Sequence, residues 1–396
     1  MTNVASLATQ LAANIDADRV LELSRQLIAT PSVNPFSDPA GPGAREAEVA
    51  DLYARELESS GMTVERVVVV EGRPNLIGRM GDPSGPSLML AGHLDTVGVN
   101  GYDHPFDPRV DGGRLYGRGS CDMKAALACF AEVARILNEA GVELSGELLI
   151  GAIADEEDRM LGSMHFGEHG PKVDHCIVGE PTDLAICPAH KGQLGTIITT
   201  SGRAVHSSVP EEGVNAIEKM GKVIAAFDGY NAELRAAEPH PMCGTGSFNL
   251  GVITGGEIVS TVADHCSLEV DRRLLPGETF DDVVAQYRGR LDPIATNDPE
   301  FAYEIAGFSM TSEALDTPLD HPVVTASAAA YEWATSGPAN ITAFTGCTDA
   351  PNLGAPAVIL GPGSLSQAHS LNEWVEIDQL TTAAKIYLHA ALALLT

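Results

Sequence analysis

Apolar residues first recur at helical spacing: Val20, Leu23 and Leu27 share a face that ends at Thr30-Pro31, and Val49, Leu52, Tyr53 and Leu57 share another that stops at Gly61. The period then shortens. "TVERVVVV" (63–70), "PNLIGRM" (74–80) and "SLMLAG" (87–92) are branched or apolar runs of strand length, and Leu127, Phe130, Ala134 and Leu137 line a helix closed by Gly141. "GELLIGAIA" (146–154) and "HCIVGE" (175–180) add two strands, so the first part of the chain reads as an α/β sheet.

After "GEPTDLAICP" the pattern changes. A strand "GTIITTSG", a helix over about 214–227, strands "SFNLGVITGG" and "HCSLEVDRRL", a helix opened by "TFDDVV" and a strand "FAYEIA" follow in βαββαβ order, that of a ferredoxin-like unit. This predicts an inserted domain over 188–304. A helix around Tyr331, the strand "PAVILGPG" and a closing helix "LTTAAKIYLHAALALL" return the chain to the first domain, which thus comprises 1–187 and 305–396.

Charge narrows the function. With 24 basic against 54 acidic residues, the formal charge of −30 opposes binding to nucleic acid or an anionic membrane and favours partners that are cations. The N-terminal stretch "MTNVASLATQLAANIDADRV" has neither a basic flank nor a continuous apolar run, and no later segment reaches the roughly 18 apolar residues of a span. A cytoplasmic protein is expected. Seven cysteines, odd in number and without a CxxC pair, suit reduced thiols rather than a disulfide framework or a cysteine zinc site.

The chemistry gathers at strand ends. "LLIGAIADEED" (148–158) runs from a core strand into four acidic residues, and two carboxylates about 4 Å apart repel by roughly 4 kcal/mol at an effective dielectric near 20. Such a cluster belongs in water or around a cation. Asp155 and Asp158 are expected to be solvated, whereas Glu156 and Glu157 have company: His93 in "AGHLDTV", Asp122 in "GRGSCDMK", Glu180 in "GEPT" and His369 in "GPGSLSQAH". Ligands of α/β sheets gather beyond the carboxyl ends of strands. Two histidines and several carboxylates suit zinc, cobalt or manganese, and five donors exceed one open tetrahedral site but serve two ions sharing a carboxylate.

In these residues the chain resembles the zinc aminoacylase and carboxypeptidase family that includes acetylornithine deacetylase and succinyl-diaminopimelate desuccinylase. The resemblance runs nearly end to end, through "GHLDTV", "LYGRGSCDMK", "DEE", "GEPT", "HSSVPEEGVNAI", "RRLLPG" and "TDAPNLGAPAVILGPGSLSQAH". "AHKGQLG", "HSSVPEEGVNAI" and the "GPGSLSQAH" tail look most like acetylornithine deacetylase. The resemblance implies that His93 and Glu180 bind one zinc, Glu157 and His369 the other, and that Asp122 bridges them. Asp95, two residues beyond His93, would hydrogen-bond the imidazole and fix its tautomer. Glu156 would be the general base and acid.

The resemblance also implies that His206 reaches across a homodimer interface, formed by the inserted lid and dimerisation domain, to the oxyanion of the partner's substrate. Arg273 would bind the substrate carboxylate through its planar fork, and Asn249 and Gly363 would lie around the substrate. Arg272, on the other strand face, would not. Removal of an acyl group from a small N-acyl amino acid is the expected reaction, with N-acetylornithine the first candidate. Succinyl-diaminopimelate hydrolysis and a broad aminoacylase or carboxypeptidase activity are the alternatives, and a non-catalytic metal-binding dimer is the alternative of another class. Asp158-Arg159 and Ser260 depart from the family pattern and bear on the substrate.

Overall fold

The computed structural model describes residues 4–35 and 46–396, apart from the side chains of 308–310. The chain divides into two compact units, Met1–Ala189 with Leu315–Phe344 and Thr348–Thr396, and His190–Ala314 with Thr345–Cys347.

The first unit is built on a nine-stranded mixed sheet. Its path runs Thr63–Val70, Arg73–Gly81, Glu147–Ile153, Ser87–His93, His175–Val178, Ala357–Ile359, Ile186–His190 and Leu315–Asp316, with Ile341–Phe344 pairing off the path. Glu147–Ile153, Ser87–His93, His175–Val178 and Ala357–Ile359 are parallel neighbours. Strands covered on both faces need apolar residues at every position, and "SLMLAGH" and "ELLIGAI" are buried throughout. Alternate residues enter different layers. Leu88, Leu90, Leu148 and Ile150 pack against Leu27, Tyr53, Phe130 and Tyr387, while Met89, Ala91 and Leu149 pack against Phe166 and Leu353. The helix Lys124–Glu139 is almost wholly buried, and its alanines let it lie against the closing helix Ile377–Leu395.

The second unit carries an antiparallel four-stranded sheet in the order Ser247–Gly255, His265–Leu274, Gly192–Ser201, Ala302–Ser312. Helices Ala216–Ala226 and Phe280–Asn297 cover one face, where Phe227, Tyr230, Phe248 and Tyr287 cluster. Its last strand runs on past "FAYEIA" to Ser312, because pairing with Gly192–Ser201 resumes at Thr311 after a register shift beyond Gly307.

Short elements escaped the periodicity. They include helices Val4–Ala12, Leu161–His169 and Tyr230–Ala236, and the three-stranded sheet Trp374–Glu376, Arg114–Tyr116, Arg109–Asp111. Segments of this length have little intrinsic stability and depend on what they pack against. Among the described residues no helix is long and apolar enough to cross a membrane.

Candidate metal centre

Three adjacent parallel strands end together, and each delivers a donor: His93 closes Ser87–His93, Glu156 and Glu157 follow Glu147–Ile153, and Glu180 follows His175–Val178. Asp122 precedes the helix Lys124–Glu139, and His369 sits in the loop before Trp374–Glu376 with a left-handed φ of +61°. Asp122 stands between the two histidines. Its Oδ1 lies 3.0 Å from His93 Nε2 and its Oδ2 lies 3.4 Å from His369 Nε2. Glu180 Oε1 is 3.6 Å from His93 Nε2, and Glu157 Oε2 is 3.0 Å from His369 Nε2.

Two donor trios result, His93–Asp122–Glu180 and Asp122–Glu157–His369, and in each the donor atoms lie within 4.8 Å of one another. Among the described residues, Glu180 Oε1 is buried without a hydrogen-bond partner, a costly state for a carboxylate oxygen unless a cation or proton meets it. Nitrogen and oxygen donors of this kind fit zinc, cobalt or manganese.

The electrostatics point the same way. Burial, then the Glu180 charge, pushes Glu156 well above the ordinary carboxylate range; burial and Asp122 raise both Glu157 and Glu180. Burial opposes ionisation of Asp122 too, but the two imidazoles outweigh it and hold this carboxyl low. Burial would lower His93, yet Glu180, Asp122 and Glu156 together raise it well above normal, and hydrogen bonds that His369 donates to Asp122 and Glu157 push it up to about 10.

The supporting residues differ in part from expectation. His93 Nδ1 meets the backbone carbonyl of Asp95 at 2.9 Å, while the Asp95 carboxylate is 3.6 Å away. Donation to that carbonyl leaves Nε2 facing Asp122. The Asp95 carboxylate instead accepts from the backbone N–H groups of Glu156 (3.1 Å) and Glu157 (3.2 Å) and from Asn34 Nδ2 (2.8 Å). It therefore orients the two glutamates through their backbone.

Asp155 is a correction: it is buried, not solvated. Its carboxylate accepts from Asn34 Nδ2 at 2.9 Å and pairs with Arg73 at 2.6 Å, and Arg73 also pairs with buried Glu46. Asp158 pairs with the neighbouring Arg159 at 3.1 Å. Asp349, buried in the segment "CTDAP", was not singled out by the sequence; burial raises it to about 7.

Gly363 has φ +85°, and a Cβ there would fall 2.6 Å from Cys121 Sγ. Its N–H already donates to Gln379 Oε1 at 2.6 Å and its carbonyl accepts from Asp183 at 2.6 Å. The residue shapes its loop, and its N–H is committed elsewhere than to a substrate.

His206, Asn249 and Arg273 belong to the second unit. His206 is exposed, and its Nδ1 accepts from the Ser208 N–H at 3.1 Å. Asn249 pairs in register with Asp271, placing Asn249, Asp271 and Arg273 on the sheet face opposite the helices. Arg273 Nε contacts Asp271 at 3.0 Å; Arg272 is buried on the helix side against Glu278 at 2.7 Å.

A strand-end cluster of imidazoles and carboxylates on this fold defines a hydrolase acting on amide bonds. The chain belongs to peptidase family M20/M25/M40, whose model matches residues 89–393. It is 34% identical to the acetylornithine deacetylase of Vibrio campbellii, over 90% of this chain and 94% of that one. Aminopeptidase PepT of Bacillus cereus shares the fold, with a TM-score of 0.78 at 21% identity, covering 96% of this chain and 99% of that one. So does a dinuclear metal binding peptidase of Bacillus subtilis, with a TM-score of 0.70 at 17% identity, covering 95% and 97%.

Proposed function

We propose that the protein is a cation-dependent deacylase of N-acyl amino acids that converts N-acetylornithine to ornithine and acetate. The observation that carries this reading is Asp122, whose two oxygens face two histidines, each with its own glutamate. Two cations sharing one carboxylate need that arrangement. The substrate rests on the identity with acetylornithine deacetylases and on the resemblance of "AHKGQLG", "HSSVPEEGVNAI" and "GPGSLSQAH" to them.

His93, Glu180 and Asp122 would hold one ion and Glu157, His369 and Asp122 the other, zinc first, with cobalt and manganese as alternatives. Such a pair supplies Lewis acidity, polarising the scissile carbonyl and lowering the pKa of water to about 7. Glu156 takes the proton of the attacking water and returns it to the leaving amine nitrogen. Because His206 Nδ1 accepts from Ser208, the neutral ring carries its proton on Nε2, where it can be donated to the oxyanion. Arg273 and Asn249 bind the substrate, Arg273 through its carboxylate.

A homodimer through the second unit accompanies this reading. Ser247–Gly255 is an edge strand that exposes Val252 (53%) and Ile253 (54%), a surface that soluble proteins normally cover. If His206 acts on the partner's substrate, mixing His206→Ala with Glu156→Ala subunits restores activity; no recovery in a mixed dimer overturns action in trans.

The test of substrate is kcat/KM of the zinc- or cobalt-loaded protein on N-acetylornithine, N-succinyl-diaminopimelate, N-acetylmethionine and an acyl-glutamate. A preference for N-acetylornithine of at least about tenfold, or about 1.4 kcal/mol, is expected. Preference for another member keeps the chemistry and overturns the substrate, and no turnover of any overturns the function.

A further inference from the structure

We propose that Glu373, paired with Arg118, is a positioning residue that sets Asp122 between the two donor trios, an inference that rests on the two-cation reading above. Glu373 lies in "SLNEWV", outside every motif that pointed to the site, and its side chain is fully buried. One oxygen, Oε1, accepts from the backbone N–H groups of Cys121 (2.8 Å) and Asp122 (3.0 Å). The other, Oε2, accepts from the Gly119 N–H (3.1 Å) and from buried Arg118 at 2.6 Å. Four donors converge on one carboxylate, three of them main-chain amides of the segment that carries Asp122.

A buried ion pair alone would be weak evidence for any role beyond stability. Here the location decides. The two Asp122 oxygens reach two different imidazoles, at 3.0 and 3.4 Å, and a donor constellation of this kind works only when held to within about 0.5 Å. An apolar side chain would leave buried amides without an acceptor, and charge-assisted bonds of this length are the stronger kind. Arg118 extends the grip by donating to the Gly98 carbonyl at 3.2 Å.

Glu373 also stands four residues after His369, so one short segment brings both a donor and the clamp on the shared carboxylate. The same stretch of chain makes further bonds to the loop that carries Asp122. Cys121 Sγ donates to the Ser364 carbonyl at 3.3 Å, and the Glu373 carbonyl accepts from the Gly117 N–H at 3.1 Å. The 364–373 segment and the 117–122 loop therefore hold one another in register, and a change at Glu373 should reach Asp122 before it reaches the distant core.

The experiment titrates cobalt(II) into cation-free wild type, Glu373→Gln and Glu373→Ala, reading visible absorption and bound stoichiometry, with the melting temperature and kcat and KM measured alongside. Loss of an outer partner typically weakens cation binding 10- to 100-fold. Glu373→Ala should lose affinity in that range, with an altered cobalt spectrum and a kcat that falls while KM stays within about twofold. Glu373→Gln, which keeps one acceptor oxygen and the shape, should fall between Ala and wild type. A lower melting temperature with wild-type cobalt affinity and spectrum in both variants would make Glu373 merely structural and overturn the proposal. Should Glu373→Ala not fold, Glu373→Gln decides by the same readouts. Wild type that binds fewer than two cobalt ions overturns the two-cation reading itself, a failure distinct from the variants behaving as wild type.

Discussion

The two donor trios share Asp122 and differ in nearly everything else. His93, Asp122 and Glu180 are all buried, two of them stand at the ends of adjacent parallel strands, and the His93 ring is tied at Nδ1. In the second trio Glu157 is similarly anchored, but His369 comes from a loop, in a left-handed conformation, with 57% of its side chain exposed. Donors held in place before binding lose less freedom when a cation arrives, and charges attract more strongly away from water. The buried trio should therefore be the tight site and the open trio the exchangeable one.

The largest effect separates catalysis from cation holding. Glu156→Ala should lower kcat by about 10³-fold or more while the protein still binds two cations per chain, checked by steady-state kinetics and metal analysis. Loss of a cation would instead make Glu156 a donor and redraw the buried trio.

Next comes the contrast between the histidines. His93→Ala should weaken the tighter cation by about 100-fold, whereas His369→Ala should leave that step nearly intact and weaken only the second. Stepwise chelation should likewise remove one equivalent well before the other. Equal losses in the two variants, or simultaneous release, would erase the proposed difference between the trios.

A pH effect sharpens the comparison. Without a cation, hydrogen bonds donated to Asp122 and Glu157 hold the His369 imidazolium up to about pH 10, and those pairs stabilise the cation-free fold fully below the ordinary histidine value near 6.5, a gain lost as pH rises through about 10. A cation must displace that proton, so affinity at the open trio should rise by up to about tenfold per pH unit in this range. Cobalt titrations at two pH values a unit apart would test it; a flat profile rejects proton displacement at His369.

The smallest effect lies beneath the site. Asn34→Ala removes the amide shared by Asp95 and Asp155, and leaving buried acceptors unmet should cost about 1 to 3 kcal/mol in denaturant unfolding. No change in stability would show that Arg73 and the backbone amides suffice.

Much of this arrangement was legible along the chain because it is local. Two-residue alternation and unbroken apolar runs locate the strands, and short motifs attach His93, Glu156, Glu157 and Glu180 to their ends, where ligands of α/β sheets gather. The inserted unit was legible from its βαββαβ order, although its last strand was cut short where the ladder bulges beyond Gly307. Arg272 and Arg273 were separable by strand parity alone, and they do fall on opposite faces of the sheet.

What the sequence by itself determined, then, is which side chains collect and on what scaffold, since period and motif are properties of neighbours in the chain. Only the tertiary structure decided how those side chains are held. Asp155 looks like any solvated strand-end acid until Asn34, 121 residues earlier, and Arg73 arrive to bury it. Asp95 serves His93 through its carbonyl because its carboxylate is taken by the turn bearing Glu156 and Glu157. Glu373, 251 residues from the Asp122 amide it accepts, carries no local signal at all. A charge can be buried only where partners converge on it, and convergence across such separations is a property of the folded chain.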